Sequence, residues 1–522
     1  MMATNNKRPV ILSLMLFVSF ASMAPARASE LDELKATVQS MQKSMEQMQQ
    51  KIVELERENH KQKQQTTPSK PAAAVTTAPV EEAAPPAVAD QTVTIAPTAV
   101  TIAGRASQVT QRPALDNQQE AAPRPNDLTL DPKYRGFVPI PNTPILIKFN
   151  AKPRVDFTDD PQNTGNNDRF VTAQIPVDGD FFKGRGNQFN VNSKGSQLSI
   201  DVRAPELPGS PRFYYQNDFF GSGGGELEFR VRQLYGEIYN VVLGQTFSVF
   251  EDPDAWPDTV DYEGPNSAIF ARRPLIRYLL PLNKHWELNF GLEKPGAEVD
   301  TSIDPDARNV NHAPDGGMNV RWEDSKYGHV QLGAILRDIG VKGPIVGNQS
   351  TFGWGVNLSS SLNVFEREAP PETVALATDK VVVAGVQRDV QPVFDSVQTQ
   401  LTYGEGLFRY FNDDFVNNDA AFDSSGNLTA IPAFGAMIGY THKWSDTLRS
   451  TASYGYVHLD NEFSQGPDAY HQTHYASLNL VWQARKRLSI GFEGLYGHKE
   501  EKSGADGDAF RLQISALWSI FD

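Results

Sequence analysis

The stretch GELEFRVRQLYGEIY, residues 225 to 239, places Glu226, Glu228, Arg230 and Arg232 at every second position with Leu227, Phe229 and Val231 between them. A guanidinium presents five N–H donors in a fixed fork that grips a carboxylate through two parallel hydrogen bonds. A row of such groups is suited to binding carboxylates and passing them on. On a strand of period two the charged set lies on one face and the apolar set on the other. Parity extends the charged row to Lys148, Lys152, Arg154, Arg203, Arg212, Arg273 and Arg277, set against Asp156, Asp201, Asp218, Glu226 and Glu228. That wall is net basic in a chain whose formal charge is -15. Arg272 is undecided, because its parity points away from this row while its position is beside a loop.

That loop, EDPDAWPDTVDYEG, carries Glu251, Asp252, Asp254, Asp258, Asp261 and Glu263 with Trp256 and Tyr262. Folded against the basic row, its carboxylates would set a transverse field across a constriction; folded outward, it is a solvated acidic loop. Other constellations are weak. His471 and His474 in HQTH lie at a loop-to-strand junction and are read as chance, so no metal site is expected. GSGGG lacks the helix that a phosphate-cradling loop requires and reads as a hairpin turn. No hydroxyl nucleophile has a partner at a recognisable spacing, and no cofactor is expected. An outer-membrane hydrolase remains only as an enzyme alternative.

The elements that must position these residues are strands. From Ile145 onward the chain alternates apolar and polar residues in short stretches broken by Gly, Pro, Asn and Asp, and helical periodicity is weak throughout. Two arrangements fit: a soluble sandwich with apolar faces meeting, or a transmembrane barrel with apolar faces toward lipid. Stretches of about ten residues, alternating short and long connections and aromatic residues near the ends favour the barrel. Counting connections predicts about 16 antiparallel strands over 144–522, with both barrel ends on the periplasmic side and an insertion at 364–392 on the short-turn side.

Ahead of the barrel come three further segments. Lys7 and Arg8, an apolar run and the Ala26-Arg27-Ala28 pattern read as a signal peptide over 1–28, with a short membrane anchor as the alternative. Leu31, Leu34, Val38, Met41, Met45, Met48, Ile52 and Leu55 form an a/d heptad series, a periplasmic coiled coil over 29–65 that buries its seam against other copies. Residues 66–143, rich in Pro and Ala, read as a disordered linker. With no cysteine, disulfide frameworks and thiolate sites are excluded. The acidic balance speaks against nucleic acid as a partner.

Together the exported heptad helix, the Pro/Ala tether, the strand count, YGEGLFRYF (Tyr403 to Phe411) and the LGQTFSVFEDPDAWPDTVDYEGPN loop resemble the DcaP-like porins of Gram-negative outer membranes. The resemblance implies a homotrimer in outer-membrane lipid with a narrow channel for small anionic solutes such as dicarboxylates. Two departures stand out: the terminal aromatic is Phe521 with Asp522 after it, and the insertion at 364–392 alters the periplasmic side. A weakly selective general porin and a surface structural or adhesive protein are the alternatives.

Overall fold

The computed structural model describes residues 136–222, 226–367, 393–413 and 418–520. The expected signal peptide and coiled coil, nearly all of the linker, and Phe521 lie outside the described residues. Within them the regular structure is strand, apart from three short 3-10 turns. No helix among the described residues is long and apolar enough to cross a membrane.

Successive crossings of the sheet pair antiparallel. Leu146–Lys152 and Arg154–Asp160 form one line interrupted at Pro153, which has no N–H to give to a ladder. This line pairs with Gln197–Arg203 and Gln188–Asn192. The ladder then passes through Arg212–Asp218, Arg230–Ile238, Val241–Phe247, Arg272–Pro281 and Trp286–Glu293. Asp315–Asp324, Gly328–Gly343, Gly347–Arg367, Val393–Glu405 and Pro432–Lys443 follow. Leu448–Leu459, Tyr470–Arg485, Leu488–Glu501 and Asp506–Trp518 complete the series. The last strand pairs Leu512 to Leu517 with Asp159 to Arg154, so the sheet closes on itself and leaves no long edge unpaired.

Burial runs opposite to that of a water-soluble protein. On the first strand Arg154, Asp156, Thr158 and Asp160 are buried, while Val155 and Phe157 are exposed. On the last strand Arg511, Gln513 and Ser515 are buried, while Phe510, Leu512 and Ile514 are exposed. Leu332, Leu336, Val356, Leu358, Ile438, Leu478 and Phe492 continue the exposed apolar band. A polar interior inside an apolar outer band is the arrangement of a barrel in lipid, so the wet side of the sheet is the inside.

Two details depart from simple alternation. Asn217 pairs with Val231 and Gln216 with Gln233, so Arg232 is the extra residue of a bulge. Arg232 and Gln233 are therefore both buried, and from there the odd residues Tyr235 and Glu237 face inward. Second, the ladder continues beyond Asn363: Val364 pairs with Asp395 and Arg367 with Val393. Residues 364–367 thus belong to a strand, which corrects the start of the insertion expected at 364–392.

Candidate functional site

Between Val241–Phe247 and Arg272–Pro281 the chain folds into the barrel, and most of residues 248–271 are buried, Val249, Phe250 and Val260 completely. The wall holds this loop through its backbone. Asn319 donates to the Val249 carbonyl at 2.6 Å, Asn357 to that of Phe250 at 3.2 Å and Gln331 to that of Glu251 at 3.1 Å. Asn479 donates to the Asp258 carbonyl at 2.8 Å, Arg154 to that of Val260 at 2.5 Å and Gln400 to that of Ser267 at 2.8 Å. A chain segment buried away from water must find such partners, and the amide-rich inner face supplies them. A second loop, beginning at Tyr403–Phe411, also turns inward: Leu407, Phe408, Tyr410 and Phe411 pack with Phe250, Ile269 and Ile431 in one apolar cluster.

Four of the loop carboxylates pair with cations outside the basic row. Arg321 holds Asp252 and Asp254, each at 3.0 Å, and His329 lies 2.9 Å from Asp252. Arg449 holds Asp258 at 2.5 Å and Arg169 holds Glu263 at 3.0 Å. These partners neutralise Asp252, Asp254, Asp258 and Glu263 locally. Burial raises the Asp252 carboxyl, but His329 and Arg321 more than offset it and hold it well below its ordinary value. Burial pushes Glu251 well above the usual carboxylate range and Asp261 up to about 6. Four of the six acidic residues are thus paired with a cation.

The arginines of the predicted row divide into two groups. Arg154 pairs with Asp156 at 2.9 Å, and Arg203 and Arg212 share Asp201 at 2.9 and 3.0 Å. Arg230 forks onto Asp218 at 2.8 and 2.6 Å, while Arg232 reaches the same carboxylate at 3.0 Å and the Tyr262 hydroxyl at 2.7 Å. Tyr262 in turn donates to Asp218 at 2.7 Å, so this cluster pins the loop to the wall. Lys148 and Lys152 are half-buried, and the Lys148 ammonium lies 5.9 Å from the Phe137 ring.

The Arg272–Pro281 strand is different. Arg273 lies over the Tyr410 ring at 4.8 Å and Arg272 over the Phe270 ring at 4.7 Å. One buried nitrogen of each, Arg272 Nη1, Arg273 Nε and Arg277 Nε, has no hydrogen-bond acceptor, and none of the three makes an ion pair among the described residues. Arg277 borders a cavity of about 100 Å³ beneath the loop, together with Arg212, Glu237, Glu287, Arg321 and Asp254.

Sequence reasoning did not single out Arg321, Arg337, Arg449 or Arg511. Arg337 pairs with Asp315 at 3.2 Å and Asp419 at 2.9 Å, and Arg511 with Asp160 at 2.6 Å. Parity places Arg337 opposite Leu336 and Arg511 opposite Phe510, so the signal was present. Which arginine meets which loop is a long-range contact that parity does not reach.

A closed antiparallel sheet with an apolar exterior, a polar interior and a loop folded within it defines a channel-forming outer-membrane barrel. The family model for the DcaP outer membrane protein matches residues 111–380 and 383–519, and the chain belongs to that family. Among solved structures, the outer membrane channel DcaP of Acinetobacter baumannii is similar at TM-score 0.61 and 17% identity, covering 74% of this chain and 100% of that one. The anion-selective porin from Comamonas acidovorans matches at TM-score 0.43 and 13% identity, covering 72% and 99%. OmpF of Salmonella typhi matches at 0.43 and 8%, covering 73% and 99%. No curated protein sequence matches the chain.

Proposed function

We propose that the protein is a passive, trimeric outer-membrane channel that favours small anionic solutes, dicarboxylates among them. The observation that carries this reading is the set of three guanidiniums, Arg272, Arg273 and Arg277, on one strand, which make no ion pair among the described residues. Four of the loop carboxylates, Asp252, Asp254, Asp258 and Glu263, are paired with Arg321, Arg449 and Arg169. Unpaired positive charge beside a narrow aqueous path lowers the energy of an anion there. Each group must also release its ion, which suits three separate weak sites better than one tight one. Arg230 and Arg232, already committed to Asp218, act in this scheme by holding the loop.

Sixteen membrane-crossing strands are supported by joining the collinear segments on either side of Pro153, between Asn192 and Gln197, and between Val310 and Asp315. The heptads over 29–65 would tie three chains together below the barrel. The signal peptide over 1–28 and the linker over 66–143 complete the proposed organisation.

Reversal potential across a planar bilayer under a salt gradient tests the reading. The wild-type channel should be anion-selective, and Arg277→Ala combined with Arg273→Ala should reduce that preference without changing oligomeric state. A wild-type channel that prefers cations would refute it. The second reading, a weakly selective general porin, is favoured by the close pairing of Arg203, Arg212, Arg230 and Arg232 with strand carboxylates. It predicts a reversal potential near zero in wild type and variant alike.

A further inference from the structure

The outer wall carries a polar patch that the channel reading does not use. Three consecutive strands, Tyr470–Arg485, Leu488–Glu501 and Asp506–Trp518, place His474 beside His498 and His498 beside Asp508 in register. Two residue pairs nearer the hairpin, Glu500 is beside Asp506. By parity His498 and Asp508 share the outward face of Tyr496 and Phe510, which are exposed. They lie where the apolar band ends, at the end of the barrel that bears the long loops.

We propose that His498, Asp506 and Asp508 form a binding site for a divalent transition-metal ion, with His474 available as a fourth ligand. One imidazole nitrogen and one oxygen from each carboxylate lie within 4.8 Å of one another. A tetrahedral zinc site with bonds of 2.0–2.1 Å needs ligand atoms about 3.3 Å apart. His498 Nδ1 and Asp508 Oδ1 already stand 3.0 Å apart. The remaining gap closes by side-chain rotation of Asp506, whose carboxylate makes no hydrogen bond or ion pair among the described residues. The Tyr496 hydroxyl donates to Asp508 Oδ1 at 2.6 Å and orients that carboxylate, as outer partners of metal ligands do. The His474 ring centroid is 5.6 Å from that of His498.

The donor set selects the ion. Nitrogen from imidazole with carboxylate oxygen suits zinc, nickel or cobalt better than calcium or magnesium, which take oxygen ligands alone. Lys183 is the nearby cation, and its ammonium is tied to Asp178 and to the Asp506 carbonyl, each at 2.6 Å. It therefore does not occupy the Asp506 carboxylate.

Titration calorimetry with zinc chloride on the untagged full-length protein in detergent provides the test. One saturable site per chain is expected. Asp506→Asn and His498→Gln should each weaken it by about tenfold or more, with single-channel conductance unchanged. Because the Asp506 carboxylate is unbonded, Asp506→Asn leaves folding intact and keeps the test decisive. His458→Gln with His471→Gln should leave binding in place. Absence of saturable binding, equal binding in Asp506→Asn, or loss of binding in the His458 and His471 double variant would each overturn the proposal.

Discussion

Replacing Arg321 by Met should loosen the first arm of the inserted loop. The guanidinium contacts Asp252 and Asp254 at 3.0 Å each and Glu323 at 3.1 Å, and Asp252 is completely buried. Removing one partner of a buried ion pair costs roughly 3–5 kcal/mol, because the other charge is left without compensation. Asp252 keeps His329 at 2.9 Å and Ser359 at 2.7 Å, which puts the expected loss at the lower end, about 3 kcal/mol. Since about 1.4 kcal/mol is a factor of ten, attachment of this arm should weaken about a hundredfold. Met keeps most of the apolar stem of Arg, so packing is largely preserved. Single-channel recordings should show larger mean conductance and added current noise. In a double-mutant cycle with Asp252→Asn, the two changes should be strongly non-additive. Unchanged conductance and noise together with simple additivity would refute the anchoring argument.

Four further outcomes are expected. Arg277→Glu should shift the reversal potential toward cations more than Arg277→Ala does, since it replaces an unpaired positive charge beside the cavity with a negative one. Leu332→Lys places a charge on the lipid face and should cost about 2–4 kcal/mol near the midplane, visible as reduced barrel yield in membranes. Deleting Glu30 to Gln65 should leave a folded, conducting barrel, read by heat-modifiable mobility and conductance, because the closed sheet satisfies its own backbone. Asp261 has its carboxyl raised by burial from 3.8 to about 6, so the folded loop holds its proton more tightly than an unfolded chain does. Its contribution to stability is therefore full below the ordinary value of 3.8 and is lost as pH rises through about 6. The change amounts to about 3 kcal/mol, and Asp261→Asn should abolish that pH dependence in a protease-protection assay. Glu263, Glu493 and Arg511 remain beside it in the variant.

Much of this architecture was legible in the residues, because a strand reports its two faces with period two and a barrel wall must be apolar on one of them. Val155 and Phe157 against Arg154 and Asp156, and Leu512 and Ile514 against Arg511 and Gln513, carry that message without any tertiary information. So does the inward position of Arg230 and Arg232. The bulge at Arg232 was half visible: Arg232 and Gln233 are adjacent polar residues that interrupt the alternation, but only pairing with Gln216 and Asn217 shows which strand accommodates the extra residue. The long-loop reading of 248–271 was likewise open between an outer and an inner position, since a loop has no parity.

Period-two alternation thus encodes the sidedness of the wall and the stock of arginines along it. The tertiary structure alone decided which of those arginines are spent on carboxylates and which are left over. Asp201 meets Arg203 along its own strand and Arg212 on the next, and Asp218 meets Arg230 and Arg232 on the neighbouring strand, whereas Arg321 and Arg449 meet Asp252 and Asp258 across 69 and 191 residues of chain. The physical reason is that charge pairing depends on distances of a few ångströms. Those distances are fixed by ring closure and by the path of a loop inside it, and strand periodicity encodes neither.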